Sequence, residues 1–217
     1  MGHFVQKHKK HWLNRAFLFS ALSGFLLLSL GLLLNYGTTV YASHAASNAV
    51  TDVFLDNLPV VNVDFVFVDG AILFWIFAIA ILVYEPRRIP FIIKSIALFI
   101  IVRSFFVGLT HIGASPQQIP MDLSNWIEKI TFGGGDLFFS GHTGLPFLLA
   151  LIFWKNRILR IIFLLSSVMF GAITLLGHIH YSIDVFAAFF ITYTIFHLAQ
   201  KLFAKDYKTF TFGLEKT

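Results

Sequence analysis

The stretch FIIKSIALFIIVRSFFVGL, residues 91–109, decides how the chain is to be read. It is apolar except for Lys94, Ser95, Arg103 and Ser104, and its length suits the roughly 20 residues that cross a bilayer core. Lys94 lies near one end, where its long stem can snorkel to the interface. Arg103 sits past the middle, too deep on its own side to do the same. A charge in such a place is costly and usually functional. The whole chain shares this apolar character: of 217 residues, 57% are hydrophobic, 27 are Phe and only 12% are charged. A soluble domain carries about a quarter charged residues. The composition therefore excludes disorder, a nucleic-acid-binding surface and an ordinary water-soluble enzyme. The lack of any Cys removes disulfides, thiolate metal sites and cysteine nucleophiles together.

Working outward, apolar runs at 17–34, 65–84, 91–109, 137–154, 158–176 and 182–200 predict six transmembrane helices. The expected fold is all-α, a polytopic membrane protein of one domain over 1–217. A basic N-terminus (1–16) and a basic tail (201–217) flank the six-helix bundle (17–200). The first run follows a basic leader, but its roughly 18 apolar residues exceed a signal-peptide core, so a retained helix is expected. Lys and Arg concentrate at the N-terminus, at the turns 85–89 and 155–160 and in the tail, while 35–64 and 177–181 have none. The positive-inside rule then predicts that both termini are cytoplasmic. The formal charge of +5 is thus the sum of a strongly basic inner side and an acidic outer side. Short loops and small size fit a bacterial cytoplasmic membrane. Within the first outer loop, residues 47–58 are expected to form a short amphipathic helix, with Asp52 and Asp56 turned to water.

Two further polar clusters interrupt the apolar pattern. Residues 133–143 read GGGDLFFSGHT. Glycines before a helix leave backbone N–H groups accessible, and a helix N-terminus attracts anions. His142, immediately after Ser140-Gly141, could protonate a departing oxygen there. Residues 177–184 read GHIHYSID. If the last helix starts near His180, then His180 and Asp184 share a face one turn apart. An Asp accepting from one ring nitrogen sets the tautomer and leaves the other free to attack. Arg103 ends one predicted span, His142 opens the next and His180 opens the last. Topology alone therefore brings all three to the outer boundary of the membrane.

These motifs resemble a known group. Residues 134–143 are similar to the second signature of sphingomyelin synthases and related lipid phosphotransferases. Residues 178–185 resemble their third signature, and 103–110 resembles a stretch of their third helix. The wider group is the type 2 phosphatidic acid phosphatase (PAP2) superfamily, and the likeness covers most of 103–193. It implies that His180, oriented by Asp184, attacks a lipid phosphate to form a phosphohistidine, with His142 as proton donor and then acceptor. Arg103 and N–H groups near Ser140, Gly141 and His142 would stabilise the phosphate oxygens. The resemblance adds His178 and Tyr181 to the expected phosphate and head-group contacts. Asp136 is expected either to hold an ammonium head group or to cap a helix. No cofactor and no metal are implied. The expected partners are a phospholipid donor and an acceptor, either a lipid alcohol such as ceramide or diacylglycerol, or water, and the site would face the extracytoplasmic side.

The sequence departs from the superfamily's soluble-acceptor phosphatases in an instructive way. They carry a Lys seven residues before the Arg and an Arg six residues before the nucleophilic His. Those positions here are Ile96 and Thr174. A phosphomonoester bears close to two negative charges and gains from several cations, whereas a diester bears one. The expectation is therefore transfer of a phosphocholine or phosphoethanolamine type of head group, with hydrolysis by water as the alternative.

Overall fold

The computed structural model describes residues 2–118 and 137–214, apart from the side chain of His3. Its described α-helices are α1 (Gly2–Trp12), α2 (Arg15–Ala45), α3 (Gly70–Tyr84), α4 (Ile89–Leu109), α5 (Gly141–Ile152), α6 (Arg157–Leu176), α7 (Ser182–Leu202) and α8 (Ala204–Phe212). No strand occurs among the described residues. Five segments are long and apolar enough to cross a membrane: Arg15–Ala45, Phe65–Tyr84, Pro86–Leu109, Arg157–Leu176 and Ser182–Leu202.

The sixth expected span is shorter than its apolar run. Leu137–Phe139 enters as irregular chain, and Ser140 opens α5 by accepting from the N–H of Thr143. The resulting helix has 12 residues, about 18 Å, short of the roughly 30 Å hydrocarbon layer. Hydropathy counts apolar side chains and does not register a cap that interrupts them. This helix is a core element, with Leu148, Leu149 and Ala150 essentially unexposed. Gly144 permits that depth, because a Cβ there would lie 2.6 Å from the Phe99 ring of α4 and 2.9 Å from Thr192 Oγ1 of α7.

The opposite error occurs in α2, expected over 17–34 but continuing to Ala45. Thr38 and Ser43 return their hydroxyls to the carbonyls of Leu34 and Thr39, so these polar residues stay within the helix. Gly24 and Gly31 bring α2 close to α4, where a Cβ would touch Lys94 Cγ and Ile101 Cγ1 at 3.3 Å each. Residues 47–58 contain turns and no helix, contrary to expectation. The reason is Asp52, whose Oδ1 accepts from the N–H groups of Phe54 and Leu55 and so competes with helical bonding. Asp52 is buried, and only Asp56 of the pair is exposed.

Lys94 does more than snorkel. Its Nζ reaches Asp206 of α8 and Ser20 Oγ of α2, each at 2.7 Å. Lys7 of α1 pairs in the same way with Glu85 in the turn before α4. The two terminal helices are thus tied to one end of the bundle by ion pairs, and the polar clusters gather at the other.

Candidate active site

The site is built around the start of α7. Tyr181 caps this helix, and Asp184 completes a capping box by accepting from the Tyr181 N–H at 3.1 Å. The same oxygen, Oδ2, faces His180 Nδ1 at 3.3 Å. A carboxylate only accepts, so the facing ring nitrogen carries the proton and Nε2 presents the lone pair. Nε2 makes no hydrogen bond among the described residues. Asp184 is 0% exposed and His180 4%. One carboxylate therefore both starts a helix and orients a ring.

His180 itself lies before α7 and not on it, contrary to the expected helical pair. It belongs to the turn that ends α6, where the N–H groups of Ile179 and His180 both point at the Thr174 carbonyl, at 2.9 and 3.3 Å. The chain reverses through His178, at a φ of +52°, in the left-handed region that costs non-glycine residues energy. Thr174 and Ile96, the two positions at which the sequence lacks a cation, are both buried. The Thr174 hydroxyl donates to the Gly171 carbonyl.

The Phe139–His142 turn ties this helix start to α4. The Ser140 N–H donates to the Asp184 carbonyl at 3.1 Å, and the adjacent Phe139 carbonyl accepts from Arg103 Nε at 2.9 Å. Arg103 also donates through Nη1 to Asn35 Oδ1 of α2 at 3.2 Å. Gly141 lies against the guanidinium, since a Cβ there would sit 3.5 Å from Nε. Hydrogen bonds through the Phe139–Ser140 turn thus link Arg103 of α4 to Asp184 of α7 and the His180 ring, with Gly141 packed against the guanidinium.

His142 follows in the first turn of α5. Its ring stacks on Phe67, with centroids 4.0 Å apart and planes at 28°, and meets Phe170 edge-on at 5.8 Å. Phe67 occupies a π-helical turn, Phe65–Asp69, directly before α3; such turns recur at functional sites. Sequence reasoning missed Phe67, one Phe among 27, and nothing in its local pattern sets it apart. It also missed Asn35, although a lone amide at the end of an apolar run offered a signal.

The remaining expected residues behave differently. The Tyr181 hydroxyl donates to the Gly113 carbonyl and accepts from the Val50 N–H, which fastens two loops over the helix start. Burial pushes its phenol pKa above the ordinary value. His178 Nε2 faces the Leu58 carbonyl at 3.3 Å. Asp136 lies outside the described residues. Asp52, not foreseen at the site, accepts through Oδ2 from both the N–H and the hydroxyl of Ser182, at 2.7 and 2.8 Å. Burial alone would raise the Asp52 carboxyl. The Ser182 hydroxyl and N–H, with the N–H groups of Leu55 and Phe54, outweigh it and hold the pKa below the usual carboxylate value.

Residues 133–201 match the family model described as PAP2 superfamily C-terminal, and that segment is similar to it. The match takes in His142, His180 and Asp184, while Arg103 lies ahead of it. No curated protein matches the chain.

Proposed function

We propose that the protein is a membrane lipid phosphotransferase that moves a phospho-head group from a glycerophospholipid to a lipid alcohol, in the manner of sphingomyelin synthases. The observation that carries this reading is the buried His180–Asp184 pair, with one ring nitrogen held by the carboxylate and the other left open beside the anchored Arg103–Ser140 turn. His180 Nε2 attacks the phosphorus, and the bond to the glycerol oxygen breaks. His142 gives its proton to that oxygen and diacylglycerol leaves, with phosphohistidine remaining. His142 then takes the proton of the acceptor hydroxyl, whose oxygen attacks phosphorus while the N–P bond breaks and His180 is restored. Arg103 and the N–H groups at the start of α5 offset the oxygen charge that develops in both steps.

A diester substrate is supported by the burial of Ile96 and Thr174: neither position supplies a second cation for a doubly charged monoester. The similarity to the PAP2 superfamily C-terminal model supports the coarser reading of phosphatase or phosphotransferase chemistry on lipids. The test uses full-length protein in detergent with labelled phosphatidylcholine and phosphatidylethanolamine. Ceramide, diacylglycerol and water are offered as separate acceptors, and products are resolved by mass spectrometry. Transfer to a lipid alcohol is the expected result, and release of free phosphocholine or phosphoethanolamine alone makes the protein a hydrolase. Equal turnover of phosphatidic acid and the diesters overturns the charge argument.

A further inference from the structure

The turn that carries His180 is clasped by a stretch of chain more than a hundred residues away. The Val50 N–H donates to the Tyr181 hydroxyl at 3.3 Å, and the Val61 N–H to the Leu176 carbonyl at 2.9 Å. Between them Leu55 packs with Leu175, Tyr181 and Val185. Contacts of this kind would hold any turn. Asp52 differs, because it is a charged side chain only 9% exposed whose two oxygens have separate tasks. Oδ1 accepts from the N–H groups of Phe54 and Leu55 and so shapes its own loop. Oδ2 reaches across to Ser182 and accepts from both its N–H and its hydroxyl, at 2.7 and 2.8 Å. Ser182 is the first residue of α7, and an N–H there has no partner within the helix.

Ser182 also lies between His180 and Asp184 in the chain. One oxygen of Asp184, Oδ2, accepts from the Tyr181 N–H and faces His180 Nδ1. The other, Oδ1, is buried with no hydrogen-bond partner among the described residues. A buried acceptor in that state gains from any donor close by. Ser182 would offer two if Asp52 did not hold both. A carboxylate drawn round to them would lose its alignment on the His180 ring. We propose that Asp52 is a positioning residue for the nucleophile: by holding the Ser182 donors away from Asp184, it keeps that carboxylate on His180 Nδ1. It acts through Ser182 and Asp184, not on the reacting atoms. The proposal rests on the reading of His180 as nucleophile and names a loop residue on which its aim depends.

The test has two readouts on full-length protein in detergent. One is lipid turnover per folded molecule, with thermal midpoints checking folding. The other is nitrogen NMR of the His180 ring in histidine-labelled protein, its signals identified by their loss in His180→Ala. Asp52→Asn leaves one oxygen for the Phe54 and Leu55 amides and turns an NH2 donor towards Ser182. It is expected to lower kcat about tenfold, with KM within about twofold of wild type. The two His180 nitrogen signals, well separated in a fixed tautomer, are expected to move together. Ser182→Ala removes only the hydroxyl and should lower kcat about threefold, and Ser182→Thr should restore it. The double variant should be no slower than Asp52→Asn alone. Unchanged His180 signals in Asp52→Asn overturn the proposal, whatever happens to kcat. So do wild-type kcat per folded molecule, a loss confined to KM, or losses that multiply in the double variant. If Asp52→Asn does not fold, the same two readouts on Ser182→Ala against Ser182→Thr decide. If wild-type protein turns over no lipid, the catalytic reading fails and the NMR comparison alone decides the positioning. Wild-type turnover with no response to Asp52→Asn has the opposite meaning.

Discussion

The two ends of the bundle handle buried charge in different ways. At one end Lys94 meets Asp206 at 2.7 Å, and Lys7 meets Glu85; each charge is answered by its opposite, and the pairs bind α1 and α8 to the core. At the other end Arg103 is held by the Phe139 carbonyl and the Asn35 amide oxygen, and Asp184 by the N–H of Tyr181 and the ring of His180. Here a carbonyl, an amide oxygen, a backbone N–H and an imidazole fix the direction of the two side chains. The first arrangement suits a clamp, and the second suits a site that must act on a charged phosphate. The difference teaches that a buried charge is informative through its partners more than through its depth.

That contrast can be broken most sharply at the site. His180→Ala and Asp184→Asn are expected to lower lipid turnover by about a thousandfold or more while circular dichroism and thermal midpoint stay near wild type. Full turnover by either variant removes His180 as nucleophile. Arg103→Ala is expected to cost about a hundredfold or more in turnover with the fold retained; global unfolding would instead place Arg103 among the clamps. At the other end the signs reverse. Lys94→Met leaves the Asp206 carboxylate without its ion partner and is expected to destabilise the protein by about 3 kcal/mol. The specific activity of the folded fraction should be unchanged, and adding Asp206→Leu should recover much of the loss.

Two smaller effects sharpen the comparison within the site end. Phe67→Ala removes the ring beneath His142 and is expected to lower kcat about tenfold with little change in KM, and Phe67→Tyr to restore it. A matching rise in KM would mean that Phe67 contacts lipid. Asp52 should appear in the pH dependence of stability. Its native pKa lies below the ordinary value, so its contribution is complete above the unfolded-state pKa and is lost as pH falls through the native one. Asp52→Asn is expected to lower stability by about 1 kcal/mol at neutral pH and to flatten the decline of the thermal midpoint below about pH 4.

Much of this was legible in the sequence where a polar residue stood against an apolar background. Arg103, His142, His180 and Asp184 announce themselves because each is expensive at the edge of a membrane. Contributors without that contrast were hidden. Phe67 looks like every other Phe, and Asp52 looks like a solvated loop acid until Ser182 is seen to donate to it twice. Helix ends were hidden as well. Hydropathy reports which solvent a side chain prefers, whereas Ser140 begins α5 late and Thr38 and Ser43 let α2 run on through backbone hydrogen bonding.

The sequence by itself determined an all-helical chain, with several helices apolar enough to cross a membrane and a His–His–Asp–Arg set, because composition, apolar period and isolated charges are local properties. Only the tertiary structure decided that Asp184 both caps α7 and aims His180, that Arg103 is anchored by a carbonyl two residues from Gly141, and that Lys94 is a structural clamp. Those outcomes depend on which carbonyls and carboxylates come within 3 Å or so of which donors. Distances of that kind are set by packing between segments remote in the chain, and no local pattern records them.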